Sequence, residues 1–339
     1  MPGRQPEPTG VSDESAPLLS IEGLRVAADR GEILRGVDLI VGAHEVVGIV
    51  GESGCGKTTL GLAILGLLGR SRSIVAGQVV LRGRGVIGGP GIDETAALRG
   101  GVIGFVPQDP FRAFDPLRRV GPQVRRALEL HRGLTGSAAD VRVMDLLAQL
   151  GVPEPGLVMQ RYPHELSGGL LQRAAIAAAL SCGPELVIAD EPTTALDLLV
   201  QIQVIESFLD LVRELGTSVL VITHDLRLLE RMADRVAAMY AGVIVEFGSA
   251  DRMLTAPRHP YPATLLASSV LAAEPGHHVP TIDGQPPSLP GDFAPCPFAP
   301  RCPRADEDCW HVVPRYEWPA DEGFACHHPI REPVLEGVA

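Results

Sequence analysis

Lysine is almost missing from this chain: there is one among 339 residues, against 28 arginines. Whatever bias removed lysine stopped at Lys57. That position therefore needs a compact ammonium on a flexible stem, which a planar, forked guanidinium does not reproduce. Also missing is any stretch approaching the roughly 20 continuous apolar residues of a membrane span. Association with a membrane would have to run through a protein partner. Residues 1–16 lack the basic start and apolar core of a secretory signal and are expected to form a flexible N-terminus. Excess positive charge is absent too, and a net charge of −12 argues against nucleic acid as the main partner. With 45% hydrophobic and 21% charged residues, the chain reads as a soluble, cytoplasmic globular protein of one large or two smaller domains.

Around Lys57 stands Gly51-Glu52-Ser53-Gly54-Cys55-Gly56-Lys57-Thr58, followed by Thr59. This is G-x-x-x-x-G-K-T, the phosphate-binding P-loop. An apolar strand (46–50) precedes it and an apolar helix (60–68) follows, the context that separates the motif from a chance match. Its glycines let backbone N–H groups turn inward around phosphate at a helix N-terminus, and Thr58 supplies a hydroxyl for Mg²⁺.

The remaining pattern alternates strands with helices, which implies an α/β sheet with polar groups at strand ends. Strands are expected at 18–27, 37–41, 77–87 and 102–106. Buried strands are expected at 186–189 and 218–223, and short ones at 236–240 and 243–247. From about 120 to 180 the pattern is helical, interrupted around 151–163, and another helix spans 198–214. Leu186-Val187-Ile188-Ala189-Asp190-Glu191 delivers two carboxylates from an apolar strand. Asp190 suits a Mg²⁺ shell, and Glu191 can act as general base on the water that attacks a γ-phosphate. Between the P-loop and these lies Leu166-Ser167-Gly168-Gly169-Leu170-Leu171-Gln172-Arg173, a second anion-binding helix start.

In this order the motifs resemble the ATP-binding subunit of an ABC transporter over roughly residues 18–250. Gln108 stands as the Q-loop glutamine, Ser167-Gly168-Gly169 as the signature, Ala195-Leu196-Asp197 as the D-loop and His224 as the switch histidine. The resemblance implies a P-loop ATPase fold with a mixed central sheet, an antiparallel β subdomain and a helical subdomain at about 115–182. It implies ATP and Mg²⁺ at residues 51–59, with Thr58, Gln108 and Asp190 around the ion, and Glu191, His224 and Gln108 in hydrolysis. A second ATPase would complete each site through Ser167, Gly168 and Gly169, its closure driving membrane permeases. One departure concerns the base: 24–28 reads Leu-Arg-Val-Ala-Ala, where the family usually offers an aromatic residue, so weaker ATP affinity is expected.

Val106-Pro107-Gln108-Asp109-Pro110 with Phe114-Asp115-Pro116, and Pro257-Arg258-His259-Pro260-Tyr261, resemble the oligopeptide and dipeptide importers. That implies a non-identical partner ATPase, two permeases, an extracytoplasmic peptide-binding protein, and a place on the cytoplasmic face of the inner membrane. The same machine carrying nickel, a sugar or glutathione stays open, as does, more distantly, a soluble ABC-type ATPase. Residues 251–339 are expected to form an extension in which Cys296, Cys302, Cys309 and Cys326 follow C-x5-C-x6-C-x16-C. The close Cys-x2–4-Cys pairs of zinc sites are absent. Four thiolates at this spacing fit an iron–sulfur centre at least as well, and the family resemblance implies a [4Fe–4S] cluster, with Zn²⁺ as alternative. Ligation there would staple a proline-rich segment that has little core of its own. His327 and His328 are expected to be surface groups or neighbours of the ligands rather than ligands.

Overall fold

The structure is a computed structural model that describes residues 16–88, 95–193, 197–269, 281–291, 293–314 and 322–330. It contains two sheets. The first is antiparallel, with order β2-β1-β4-β5, built from β1 (Leu19–Ala28), β2 (Gly31–Val41), β4 (Arg72–Leu81) and β5 (Arg84–Gly88). The second has order β11-β10-β9-β3-β8-β7-β6. Its parallel part comprises β3 (Val46–Val50), β6 (Ile103–Val106), β7 (Leu186–Asp190), β8 (Ser218–Thr223) and β9 (Arg235–Tyr240). The antiparallel strands β10 (Val243–Ser249) and β11 (Gly323–Phe324) extend one side.

The parallel strands are apolar on both faces because both faces are covered. Val47, Ile49, Leu186, Ile188, Leu220 and Ile222 point into a core shared with the antiparallel sheet and α1 (Lys57–Ile64). Their alternates Val46, Val50, Val187, Ala189, Val219 and Val221 point into a second core on the opposite face. That core is shared with α8 (Gly168–Leu180), α9 (Leu198–Leu215) and α10 (Leu226–Met232). Each such Val, Leu or Ile side chain, when fully buried, contributes about 1.5–3 kcal/mol.

The helical region is more broken than its composition suggests. Besides α2 (Thr95–Leu98) and α3 (Pro110–Ala113), it holds α4 (Val120–Val124), α5 (Arg126–His131), α6 (Gly136–Gln149) and α7 (Pro155–Gln160). The expected interruption at 151–163 is itself partly helical, since Pro155 sits at a helix start where its missing N–H does no harm. An unexpected break falls between α5 and α6, where Gly133 and Gly136 both take positive φ. Likewise α1 ends at Ile64 rather than running to residue 68.

Residues 251–339 do not stand apart where they are described. Helices α11 (Ala250–Thr255), α12 (Pro260–Ala267) and α13 (Glu307–His311) follow β10, and β11 pairs with it. Tyr261, Cys296, Phe298 and Cys309 belong to the second core.

Candidate functional site

β3 turns into α1 through the P-loop. Two glycines make the turn possible: a Cβ on Gly51 would lie 2.2 Å from the Met239 carbonyl oxygen, and Gly56 has φ of 111° at the helix N-cap. Lys57 is buried, and its Nζ donates to the carbonyls of Gly51 (2.7 Å) and Glu52 (3.1 Å), which holds the ammonium against the loop. Ser53 and Gly54 at the crown are exposed, Cys55 is buried, and Thr59 is buried on α1.

The parallel register carries the ends of β7 and β8 to the same edge as this loop. Thr58 Oγ1 donates to Asp190 Oδ1 at 3.2 Å across 132 residues of sequence. Burial pushes the Asp190 carboxyl up, with the neighbouring Glu191 charge acting in the same direction, while the Thr58 bond and the Lys57 charge oppose. A cation against these oxygens would relieve that penalty, so Thr58 and Asp190 suit Mg²⁺. Glu191 follows in a left-handed conformation, φ 45°, with its N–H bonded to the Ile222 carbonyl of β8 at 2.8 Å. A non-glycine residue held there is strained, a state the surrounding structure must enforce. The carboxylate is bracketed: Gln108 Nε2 donates to Oε2 at 2.9 Å, and His224 Nδ1 lies 3.1 Å from Oε1. Gln108 and His224 are themselves exposed.

Ser167 caps α8, its hydroxyl accepting from the Leu170 N–H at 3.3 Å. Ser167 is exposed and Gly168 and Gly169 are half-buried, so this helix end faces outward and takes no part in the cluster around Lys57. Asp197 is exposed and caps α9 by accepting from Val200 N–H at 3.1 Å; Ala195 and Leu196 lie outside the described residues. At the strand end expected to meet the base, Ala28 pairs with Arg72 of β4, whose guanidinium donates to Thr59 Oγ1 at 3.4 Å.

The family model for ABC transporters matches residues 34–194, and that for the oligopeptide/dipeptide transporter C-terminal region matches residues 245–309. The dipeptide transport ATP-binding protein DppD of Bacillus subtilis is 39% identical, covering 88% of this chain and 90% of that protein. This chain belongs to the ABC transporter ATP-binding proteins, in their oligopeptide/dipeptide branch. The oligopeptide transport ATP-binding protein OppD of Salmonella typhimurium is 39% identical, with 96% of each chain covered. Among solved structures, a dimeric ATP-binding cassette, MJ0796, in a post-hydrolysis state with ADP and Pi superposes with TM-score 0.60 at 29% identity. It covers 68% of this chain and 98% of its own. As an ABC ATP-binding protein, the chain is an ATPase of the P-loop fold.

The four C-terminal cysteines of this ABC protein span 31 residues of sequence, and among the described residues their sulfurs do not form a group of three or more ligand atoms within 4.8 Å of one another. The Cys296 N–H bonds the Cys309 carbonyl at 3.1 Å. Burial pushes the thiol of Cys326 up to about 11, and the charges of Cys296, Cys302 and Cys309 add to the rise. Cys296 rises in the same way, through burial first and then Cys309 and Cys302. Four free thiols, Cys296 and Cys309 buried and Cys302 and Cys326 half-buried, are by their chemistry a donor set a metal centre could take, since its positive charge stabilises thiolates. His328 pairs with an acid next to the cluster: its Nε2 is 2.7 Å from Asp306 Oδ2. Ligand atoms of Asp306, Cys309 and His328 all lie within 4.8 Å of one another.

Contacts that sequence reasoning missed connect this tail to the P-loop. The Glu52 N–H donates to Tyr261 Oη at 2.8 Å, and Arg301 reaches the Glu52 carboxylate at 2.6 and 3.1 Å. Glu246 is fully buried, accepting from the N–H groups of Arg258 and His259 and from the Arg252 guanidinium. An acid inside the apolar run Val243-Ile244-Val245-Glu246-Phe247 is the signal that could have found it.

Proposed function

We propose that this protein is the energy-coupling ATPase of a peptide importer. The hydrolytic half of that reading rests on one observation: Glu191 is held between Gln108 and His224, one residue past an Asp190 already bonded to Thr58. In this reading residues 51–59 bind ATP, with Lys57 on the β- and γ-phosphates. Thr58, Asp190 and Gln108 hold Mg²⁺, which neutralises phosphate charge. Glu191 orients and deprotonates the attacking water, and His224 positions Glu191 and the γ-phosphate. The outward-facing Ser167, Gly168 and Gly169 serve the nucleotide of a second, non-identical ATPase, with Asp197 at the junction between the two. Contacts to the γ-phosphate favour the closed pair and are lost on hydrolysis, which moves two permease subunits. A peptide-binding protein outside the membrane delivers the solute, and this chain works on the cytoplasmic face. In keeping with a peripheral place, no helix among the described residues is long and apolar enough to cross a membrane.

The peptide half rests on the match of residues 245–309 and on relatives named for dipeptide and oligopeptide transport. Uptake of di- and oligopeptides in a deletion strain, complemented with wild type or Glu191→Gln, tests both halves. Wild type should restore uptake. The variant should bind ATP yet lose about 10²–10⁴-fold in hydrolysis and fail to restore it. Undiminished hydrolysis would overturn the role of Glu191, and uptake of another solute alone would overturn the peptide reading.

For the tail, Cys296, Cys302, Cys309 and Cys326 would hold a [4Fe–4S] cluster that staples residues 251–339 as a structural extension. Zinc is favoured only by the grouping of Asp306 and His328 with Cys309. Anaerobically purified protein should show broad visible absorbance and bound iron; colourless protein carrying zinc would decide for the alternative.

A further inference from the structure

Glu52 occupies a variable position of G-x-x-x-x-G-K-T, so phosphate binding by itself asks nothing of its carboxylate. Here that carboxylate is gripped by both terminal nitrogens of Arg301, at 2.6 and 3.1 Å. The Arg301 side chain is 5% exposed and that of Glu52 is 21% exposed, so the pair lies largely out of water. A forked guanidinium–carboxylate contact is strong there, and removing one partner leaves a charge uncompensated. The same loop residue is held at its backbone, where its N–H meets Tyr261 Oη and its carbonyl accepts from Lys57 Nζ. Glu52 is therefore the point at which loop, lysine and tail meet.

Arg301 has little freedom of its own. It closes the 3-10 turn Ala299–Arg301, which lies between Cys296 and Cys302, and its N–H bonds the Phe298 carbonyl at 2.9 Å. Its Nε donates to the Asp283 carbonyl at 2.8 Å, and one terminal nitrogen lies 3.3 Å from Tyr240 Oη. Phe298, fully buried, stands edge-on to Tyr240 and Tyr261 with ring centroids 5.2 and 5.4 Å away. Two candidate metal ligands thus flank the turn that aims the guanidinium at the phosphate loop.

We propose that Arg301 is a positioning residue for the nucleotide site, holding the P-loop through Glu52 so that the state of the Cys-rich segment is felt where the phosphates bind. The proposal rests on the reading that residues 51–59 bind ATP. Coupling of this kind is reciprocal: whatever the tail does for ATP, ATP does for the tail.

The test uses the full-length protein and equilibrium binding of a fluorescent ATP analogue with Mg²⁺. Arg301→Gln and Glu52→Gln should each raise Kd by about five- to tenfold, within the range of ordinary coupling between sites. The double variant should bind no more weakly than the weaker single, because both substitutions remove the same contact. Arg301→Lys should recover part of the loss, and Cys302→Ser should move Kd in the same direction as Arg301→Gln. Wild-type affinity in a folded Arg301→Gln protein, additive effects in the double variant, or an unchanged Kd in Cys302→Ser would each overturn the proposal. Hydrogen exchange on the wild type avoids any folding defect. Nucleotide should slow exchange in residues 296–302, and identical exchange with and without it would also overturn the proposal. Wild type that binds no nucleotide would remove the ATP reading itself, whereas equal binding by wild type and variants removes only this inference.

Discussion

Acid should loosen this protein through one histidine. His259 is 1% exposed, sits beside Phe298, and offers Nδ1 to the Tyr261 N–H at 3.0 Å. The carboxylate bonded to its backbone, Glu246, is already engaged by the N–H groups of Arg258 and His259 and by Arg252. Burial therefore dominates and pulls the imidazole from its ordinary 6.5 down to about 3. Between those values the unfolded chain binds a proton that the folded chain refuses, so stability present above 6.5 is lost as pH falls towards 3. Linkage puts the loss at about 2 kcal/mol near pH 5 and about 3 kcal/mol near pH 4, as orders of magnitude. Asparagine at position 259 keeps an acceptor for the α12 cap and removes the titration. Urea unfolding from pH 7.5 to 5 measures the effect, and comparing wild type with His259→Asn cancels the other titrating groups. Wild type should lose about 2 kcal/mol more than the variant over that span. Parallel pH profiles for the two proteins would refute the reasoning.

Other perturbations follow from the same geometry. Lys57→Arg keeps the charge but forces a wider head into a buried slot between loop carbonyls, so ATP affinity should fall at least about tenfold in a binding titration. Glu246→Ala leaves two buried N–H groups and the Arg252 guanidinium without their acceptor, and should cost about 3–5 kcal/mol in a urea titration. Glu246→Gln, which keeps one acceptor, should cost less. Ala28→Tyr places a ring at the strand end beside Arg72 and should tighten ATP by about 1–3 kcal/mol; unchanged affinity would show that this strand end does not meet the base.

The central strands were legible because they are covered on both faces, which leaves runs such as Ser218–Thr223 with hardly a polar interruption. The helical stretch was less so, since glycine and proline punctuate it more finely than apolar spacing reveals, and α7 grew inside an expected loop. Candidate residues could be picked out by motif, but their meeting could not. Thr58 reaches Asp190 only because β3, β8 and β7 lie side by side and parallel, an order that spacing along the chain does not encode. The same limit hid the tail. Arg301 and Tyr261 carry no signal of a partner more than 200 residues earlier, and His259 carries a family resemblance in the sequence but no sign of its burial.

The short strand β11 has a consequence for handling the protein. By pairing Gly323 and Phe324 with Phe247 and Glu246, with Arg258 stacked 4.3 Å over the Phe324 ring, it covers the middle of the outer edge of β10. Bare strand edges recruit other chains. A protein cut after α12 would present β10 as a sticky border and should precipitate as it is made, even with every nucleotide-binding residue still present. A truncated protein meant to isolate the ATPase should therefore keep residues 322–326 or carry a charge on the exposed edge.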